Sequence, residues 1–268
     1  MSAADKQSKD LVEARRLWKG KEFERSITLL KKLVASDSNN ASLHYQLALS
    51  LAGQADKIGE EREKFRLTAT WPKYMAQMDA MLEQAIKEFT RAIQLNPQDA
   101  QAYFQRAAAF AKAGRHDKAL LDAKTSAKLD PNFAQAKRAC GDELTELGHH
   151  QEALAYYNDY IRMQPSDRVG YYQRARAYEE LGKPELALAD YNRTLDLGPN
   201  LGDSHLRRGL IYDTLRKHDL AVKDYDAYIK LHPNDFKGYQ LRATAYGLLG
   251  NREASRADFA KANSLKPK

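Results

Sequence analysis

Six prolines stand at positions 97, 131, 165, 199, 233 and 267, each 34 residues after the last. A fixed period of that length marks a chain built from repeated supersecondary units. Each unit is too small to bury its own apolar face and must stack on a neighbour. Such a chain has a long surface in place of one deep core, and long surfaces of this kind suit recognition. The period therefore constrains architecture strongly and the identity of a partner hardly at all.

Aligned on the prolines, the units begin at residues 100, 134, 168, 202 and 236. The eighth place of each is small: Ala107, Gly141, Ala175, Gly209 and Ala243. Twelve residues on come Ala119, Ala153, Ala187, Ala221 and Ser255, and four further Tyr157, Tyr191, Tyr225 and Phe259, with Ala123 as the exception. Apolar places recur at three and four residues, which is helical spacing and not strand alternation. Small residues on facing helices permit close approach, and aromatics fill the space beside them. Glycines at 114, 148, 182 and 250 fall between the two apolar runs as left-handed helix stops, and the proline ends the second helix. Each unit reads as helix, tight turn, helix, proline.

These residues resemble the tetratricopeptide repeat, and the likeness covers nearly the whole chain. The stretch YYQRARAYEELGKPELALADYNRTLDLGP from Tyr171 is close to the family pattern. The resemblance implies an all-α, right-handed superhelical solenoid of antiparallel helix pairs with a concave groove. Upstream, Ala14, Ser26 and Leu30 keep the spacing of a degenerate first unit. A second begins near Ala41, but Ala48 and Ala85 lie 37 residues apart where the other units have 12. The expected repeats are 7–40, 41–99 with an insertion at 54–78, and then 100–133, 134–167, 168–201, 202–235 and 236–268, seven in one array. In the last unit Arg256 and Asn263 replace apolar residues on the stripe that would face a further repeat, which predicts a self-capped end.

Composition narrows the function classes. The chain has 268 residues, 43% of them apolar, and one cysteine, so no disulfide framework exists. Cys140 occupies a packing place. No apolar stretch approaches a membrane span and the N-terminal residues lack the apolar run of a secretory signal, making the cytoplasm the default, unless a signal has been removed. The net charge of +7 does not gather into one stripe. Arg106, Arg174, Arg208 and Arg242 all fall at place 7, and Asp122, Asp190, Asp224 and Asp258 at place 23, predicting an exposed ion-pair ladder of about 0–1 kcal/mol per pair. No phosphate-binding glycine loop, HExxH or paired-cysteine spacing appears, so neither cofactor nor metal nor catalysis is expected. His116, His150 and His218 recur at place 17, as turn or packing residues.

In the family, the groove is lined by places 2, 5, 9, 12 and 13 of each unit. Carried over, repeats two and three offer an apolar zone of Tyr45, Leu49, Phe104 and Ala108. Repeats four to six offer a mixed zone of Arg138, Asp142, Tyr172, Gln173, Arg176, Glu179 and Arg207. Tyrosine and arginine are frequent interface anchors, although the same aromatics also fit a plain packing role. Chaperone adaptors of the family clamp a C-terminal carboxylate with Lys, Asn, Asn, Lys and Arg. The corresponding set here is Arg138, Asp142, Gln173, Asp203 and Arg207, whose two acids argue against that ligand.

The insertion is a second candidate surface. Trp71, Tyr74, Met75 and Met78 cluster there, a combination that suits adaptable apolar contacts. Two readings fit: lengthened helices sealed by these side chains, or a projecting hairpin that docks a partner. Thr70 is placed to cap its second helix. The leading expectation is a non-catalytic scaffold for a protein or peptide segment. RNA binding and self-assembly are the alternatives, the first weakly supported by Arg138 and Lys237 at groove places.

Overall fold

The computed structural model describes residues 3–65 and 71–266. Fourteen α-helices and no strand occur among the described residues, as the three- and four-residue spacing requires. Contacts divide the chain into two compact units, residues 1–147 and 148–268.

The first unit holds α1 (Ala3–Lys19), α2 (Phe23–Ser36), α3 (Ala41–Phe65), α4 (Trp71–Leu95), α5 (Ala100–Lys112), α6 (His116–Leu129) and α7 (Ala134–Glu146). Its core runs through Ala14, Leu30, Leu47, Ala48, Ala85 and Phe89, all at most 3% exposed. The small place-8 residues Ala14 and Ala48 thus admit the larger side chains around them. Helices α3 and α4 each have 25 residues, against 13 or 14 in the pairs that follow. The added length spans roughly 18 Å at 1.5 Å per residue. Within it Ala55 and Ile58 are buried and Gly59 faces Met78, with buried Leu82 at its boundary on α4. Along these residues α3 and α4 run on together beyond the length of the later helix pairs. The capping role expected of Thr70 lies outside the described residues.

The second unit holds α8 (His150–Met163), α9 (Arg168–Glu180), α10 (Pro184–Leu197), α11 (Gly202–Thr214), α12 (His218–Leu231), α13 (Phe236–Leu248) and α14 (Arg252–Leu265). Tyr157, Tyr191 and Tyr225 are no more than 1% exposed. Asp167 and Asp235 cap α9 and α13 by accepting from the backbone N–H of Val169 and Lys237, both at 2.9 Å. The same two carboxylates accept the hydroxyls of Tyr160 and Tyr228, which ties the end of one helix pair to the start of the next. Arg256 and Asn263 are exposed on α14, and Phe259 is 40% exposed where its counterparts are buried.

Glycines 114, 148, 182 and 250 have φ between +63° and +80°, the left-handed helix stop expected of them. Two turns reach the same conformation without glycine: Lys21 at φ 59° and Arg216 at φ 58°. A side chain in this region costs about 1 kcal/mol.

The arginine–aspartate ladder differs from the expectation of an exposed series. Arg106, Arg174, Arg208 and Arg242 each grip the aspartate sixteen residues on through Nε and Nη2, at 2.6–2.8 Å. Those aspartates are only 3–8% exposed. The remaining nitrogen of each arginine reaches back to the preceding helix pair, to Thr90, Asn158, Asn192 and Asp226. Arg106, Arg174 and Arg242 are also held between two aromatic rings at 5.6–5.9 Å. Burial changes the energetics: removing the arginine strands a carboxylate away from water. Repeat four has Cys140 at place 7 and Tyr156 at place 23. Burial pushes the Cys140 thiol up to about 12, which leaves it inert at neutral pH.

Arg174→Ala, which leaves the buried Asp190 carboxylate without its partner, is expected to destabilise the chain by about 3–5 kcal/mol. Arg16→Ala, whose pair with Glu13 is exposed, is expected to leave stability almost unchanged. Equilibrium urea unfolding separates the two.

Candidate functional site

The first unit contains a cavity of about 600 Å³. Its floor is apolar and comes from first helices: Tyr45, Leu49 and Ala52 of α3, Ala108 and Ala109 of α5. One end is closed by the α1–α2 turn, with Trp18, Lys21 and Phe23. Trp18 Nε1 donates to the Leu49 carbonyl at 3.3 Å and so fixes its ring against the floor. Phe23 lies so close to α3 that a Cβ on Gly53 would come 2.4 Å from the ring, and only glycine fits there. The other wall is the extended part of α3, through Asp56, Lys57 and Glu60.

Tyr45 packs edge-on against Phe89, with ring centroids 5.9 Å apart. Burial, then the charge of Asp99, pushes its phenol up to about 12, and Gln101 hydrogen-bonds it. Tyr45 therefore offers the cavity a neutral ring already anchored from below. A second cavity of about 530 Å³ lies alongside, between Ala55 and Gly59 of α3 and Met78 and Leu82 of α4. Asp56, Glu60 and Lys112 line both cavities, and Lys112 Nζ donates to Asp56 across their boundary.

The other expected residues are placed differently. Phe104 is not part of the cavity lining and packs edge-on against Phe133 at 4.9 Å. Arg138 and Asp142 pair with each other on α7 at 2.8 Å. In the second unit, Tyr172 stacks edge-on with Tyr191 at 5.9 Å. Glu179 accepts both the Tyr191 hydroxyl at 2.5 Å and Arg207 at 3.1 Å. Burial, then the bond to Glu179, raises the Tyr191 phenol well above its ordinary range. Arg176 donates to Gln173 at 3.4 Å, a long contact. Tyr172, Gln173, Arg176 and Arg207 thus belong to a neighbourhood whose polar groups are largely engaged with one another.

Of the expected insertion residues Trp71, Tyr74, Met75 and Met78, Met78 lines the second cavity, while Trp71, Tyr74 and Met75 are half-buried along the first turns of α4. Two of the three turn histidines are packed against carboxylates, His116 on Glu143 at 2.9 Å and His218 on Asp213 at 2.8 Å, whereas His150 Nδ1 is buried without a hydrogen-bond partner among the described residues. No group of three or more metal-ligating side chains gathers among the described residues. Trp18 and Lys21 were not among the expected site residues, and the α3 wall was expected only as part of the 54–78 insertion. Trp18 stands at place 12 of the first unit and was legible from the groove pattern. The individual wall residues were not, because the repeat frame has no place beyond the normal end of a first helix.

With tryptophan only at 18 and 71, Trp71→Phe leaves Trp18 as a reporter of the cavity. Ala108→Leu in that background is expected to lower acrylamide quenching of Trp18 and shift its emission to the blue. Unchanged quenching would place Trp18 outside the space that Ala108 faces.

Among the described residues, no helix is long and apolar enough to cross a membrane. No curated protein matches the chain. Solved structures that resemble it share its fold. The C-terminal part of a TPR repeat-containing protein from Cytophaga hutchinsonii is 17% identical, with a TM-score of 0.71 and 96% of each chain covered. MamA is 23% identical with a TM-score of 0.59, over 62% of this chain and 91% of that one. YrrB, described as a TPR protein with an unusual peptide-binding site, is 22% identical with a TM-score of 0.59, over 67% and 93%. Family models described as TPR repeat or tetratricopeptide repeat match residues 81–114, 140–167, 172–236 and 236–268. Helix pairs, left-handed glycine stops and these matches agree, and the chain belongs to the tetratricopeptide-repeat proteins.

Proposed function

We propose that this protein is a non-catalytic scaffold that holds a segment of a partner protein, with the cavity of the first unit as its main anchor. The observation that carries this reading is an open, apolar-floored space of about 600 Å³ between the first helices of successive repeats, on the face the repeat pattern assigns to the groove. Repeat packing alone has no use for it, because unfilled apolar surface forfeits dispersion contacts and hydrophobic burial. A partner side chain placed there recovers both. The peptide-binding site named for YrrB is consistent with such a use of the fold.

The residues of the second unit suit a supporting role. Arg207 and Tyr191 already share Glu179, so a ligand there would have to replace internal bonds. Their replacement gains less than filling the apolar space.

The test is retention of a partner from native lysate by three proteins: the intact chain, Ala108→Glu, and the double variant Tyr172→Ala/Arg176→Ala. Ala108→Glu puts a charge over the cavity floor on a helix-compatible side chain. It is expected to lose the main partner with its circular dichroism unchanged, while the double variant keeps it. A partner that stays on Ala108→Glu and leaves the double variant would move recognition to the second unit.

A further inference from the structure

The groove and the lengthened helices of the second repeat, separate candidates in the sequence, meet in one site. The apolar floor belongs to the groove, and the wall carrying Asp56, Lys57 and Glu60 lies beyond the point where the later first helices end. That wall brings charge to the rim. Five charged side chains line the cavity: Lys21, Lys57, Lys112, Asp56 and Glu60. Lys112 and Asp56 neutralise each other. Lys21, Lys57 and Glu60 have no ion-pair partner among the described residues. Two cations and one anion remain for a ligand.

Lys21 adds a second, independent observation. Its turn place is glycine at 114, 148, 182 and 250, and Lys21 holds the same left-handed backbone at φ 59°. A lysine there opposes the local backbone preference, and its side chain lies at the mouth of the cavity. Unfavourable backbone of this kind collects at sites where the side chain is needed. Arg216 shares the conformation and lines none of these cavities, which makes it a control.

We propose that this composite cavity binds an acidic, apolar-anchored segment: a phenylalanine-, tryptophan- or leucine-sized side chain enters between Trp18, Tyr45, Leu49 and Ala108, and an adjacent Asp or Glu is held by Lys21 and Lys57. The proposal rests on the scaffold reading above and specifies the chemistry of its partner. The lengthened α3 supplies Lys57 and the wall against which the segment lies, which gives the departure from the repeat period a role in recognition.

Short random peptides displayed on phage, selected on the intact protein, test it. Enriched peptides are expected to pair a large apolar residue with Asp or Glu, to bind less tightly as salt rises, and to lose binding to Ala108→Glu. Lys21→Gly is expected to weaken them about three- to tenfold while raising the thermal midpoint. Arg216→Gly is expected to raise the midpoint with affinity unchanged. Peptides that are lost on Ala108→Glu but show no acidic enrichment, or ignore Lys21→Gly, would overturn this inference and leave the scaffold reading standing. Peptides that survive Ala108→Glu, or no enrichment at all, would overturn both.

Discussion

The buried grip of an arginine on the aspartate sixteen residues later locks the helix pairs of the four repeats that carry it, those of Arg106, Arg174, Arg208 and Arg242, to the pairs before them. Each arginine serves its own helix pair with two bonds and the preceding pair with a third. A side chain that must satisfy both at once fixes the register between successive repeats. Apolar packing alone is less directional, since Ala and Leu tolerate sliding by a fraction of a turn. The geometry is demanding because the aspartate is nearly dry: a carboxylate at 3–8% exposure must be fully paired or it opposes folding. Planar guanidinium, bidentate contact and flanking rings meet that demand, and lysine would not.

That division of labour leaves the opposite faces of the first helices free to differ between repeats. Where the repeat is regular, in α8–α14, tyrosines fill the inter-helix space and acids such as Glu179 and Asp213 collect their hydroxyls. In α1–α5 Phe89 fills the corresponding inner space, but the groove side stays open. Ala108 and Ala52 leave room, Gly53 lets Phe23 approach, and α3 runs on to build a wall. The site arises from departures from the pattern, on a frame that the pattern holds rigid.

This explains what was legible in the sequence. The proline period, the small residues at place 8 and the turn glycines reported the helix pairs, because local backbone chemistry and steric size determine them. Tyr45 and Leu49 were also legible, from their groove places. Phe104 was not separable from them by place, since its use against Phe133 depends on a residue of the following helix pair. The ion pairs were found but misjudged in strength, because burial is a property of the stack and not of place 7. Lys21 was not legible, because it stands where the pattern has glycine; Asp56, Lys57 and Glu60 were covered only as part of the 54–78 insertion, where the pattern has no places to distinguish one residue from another.

The central claim is that recognition is anchored in the first unit and not spread evenly along the repeats. Place 9 offers a matched comparison, being Ala108 beside the cavity and Leu210, 40% exposed, in the second unit. A photo-crosslinking amino acid at each position in turn, activated in native lysate, reads which one touches the partner. The account predicts a discrete crosslinked product from position 108 and none from position 210. The same product from position 210, with none from 108, would contradict it.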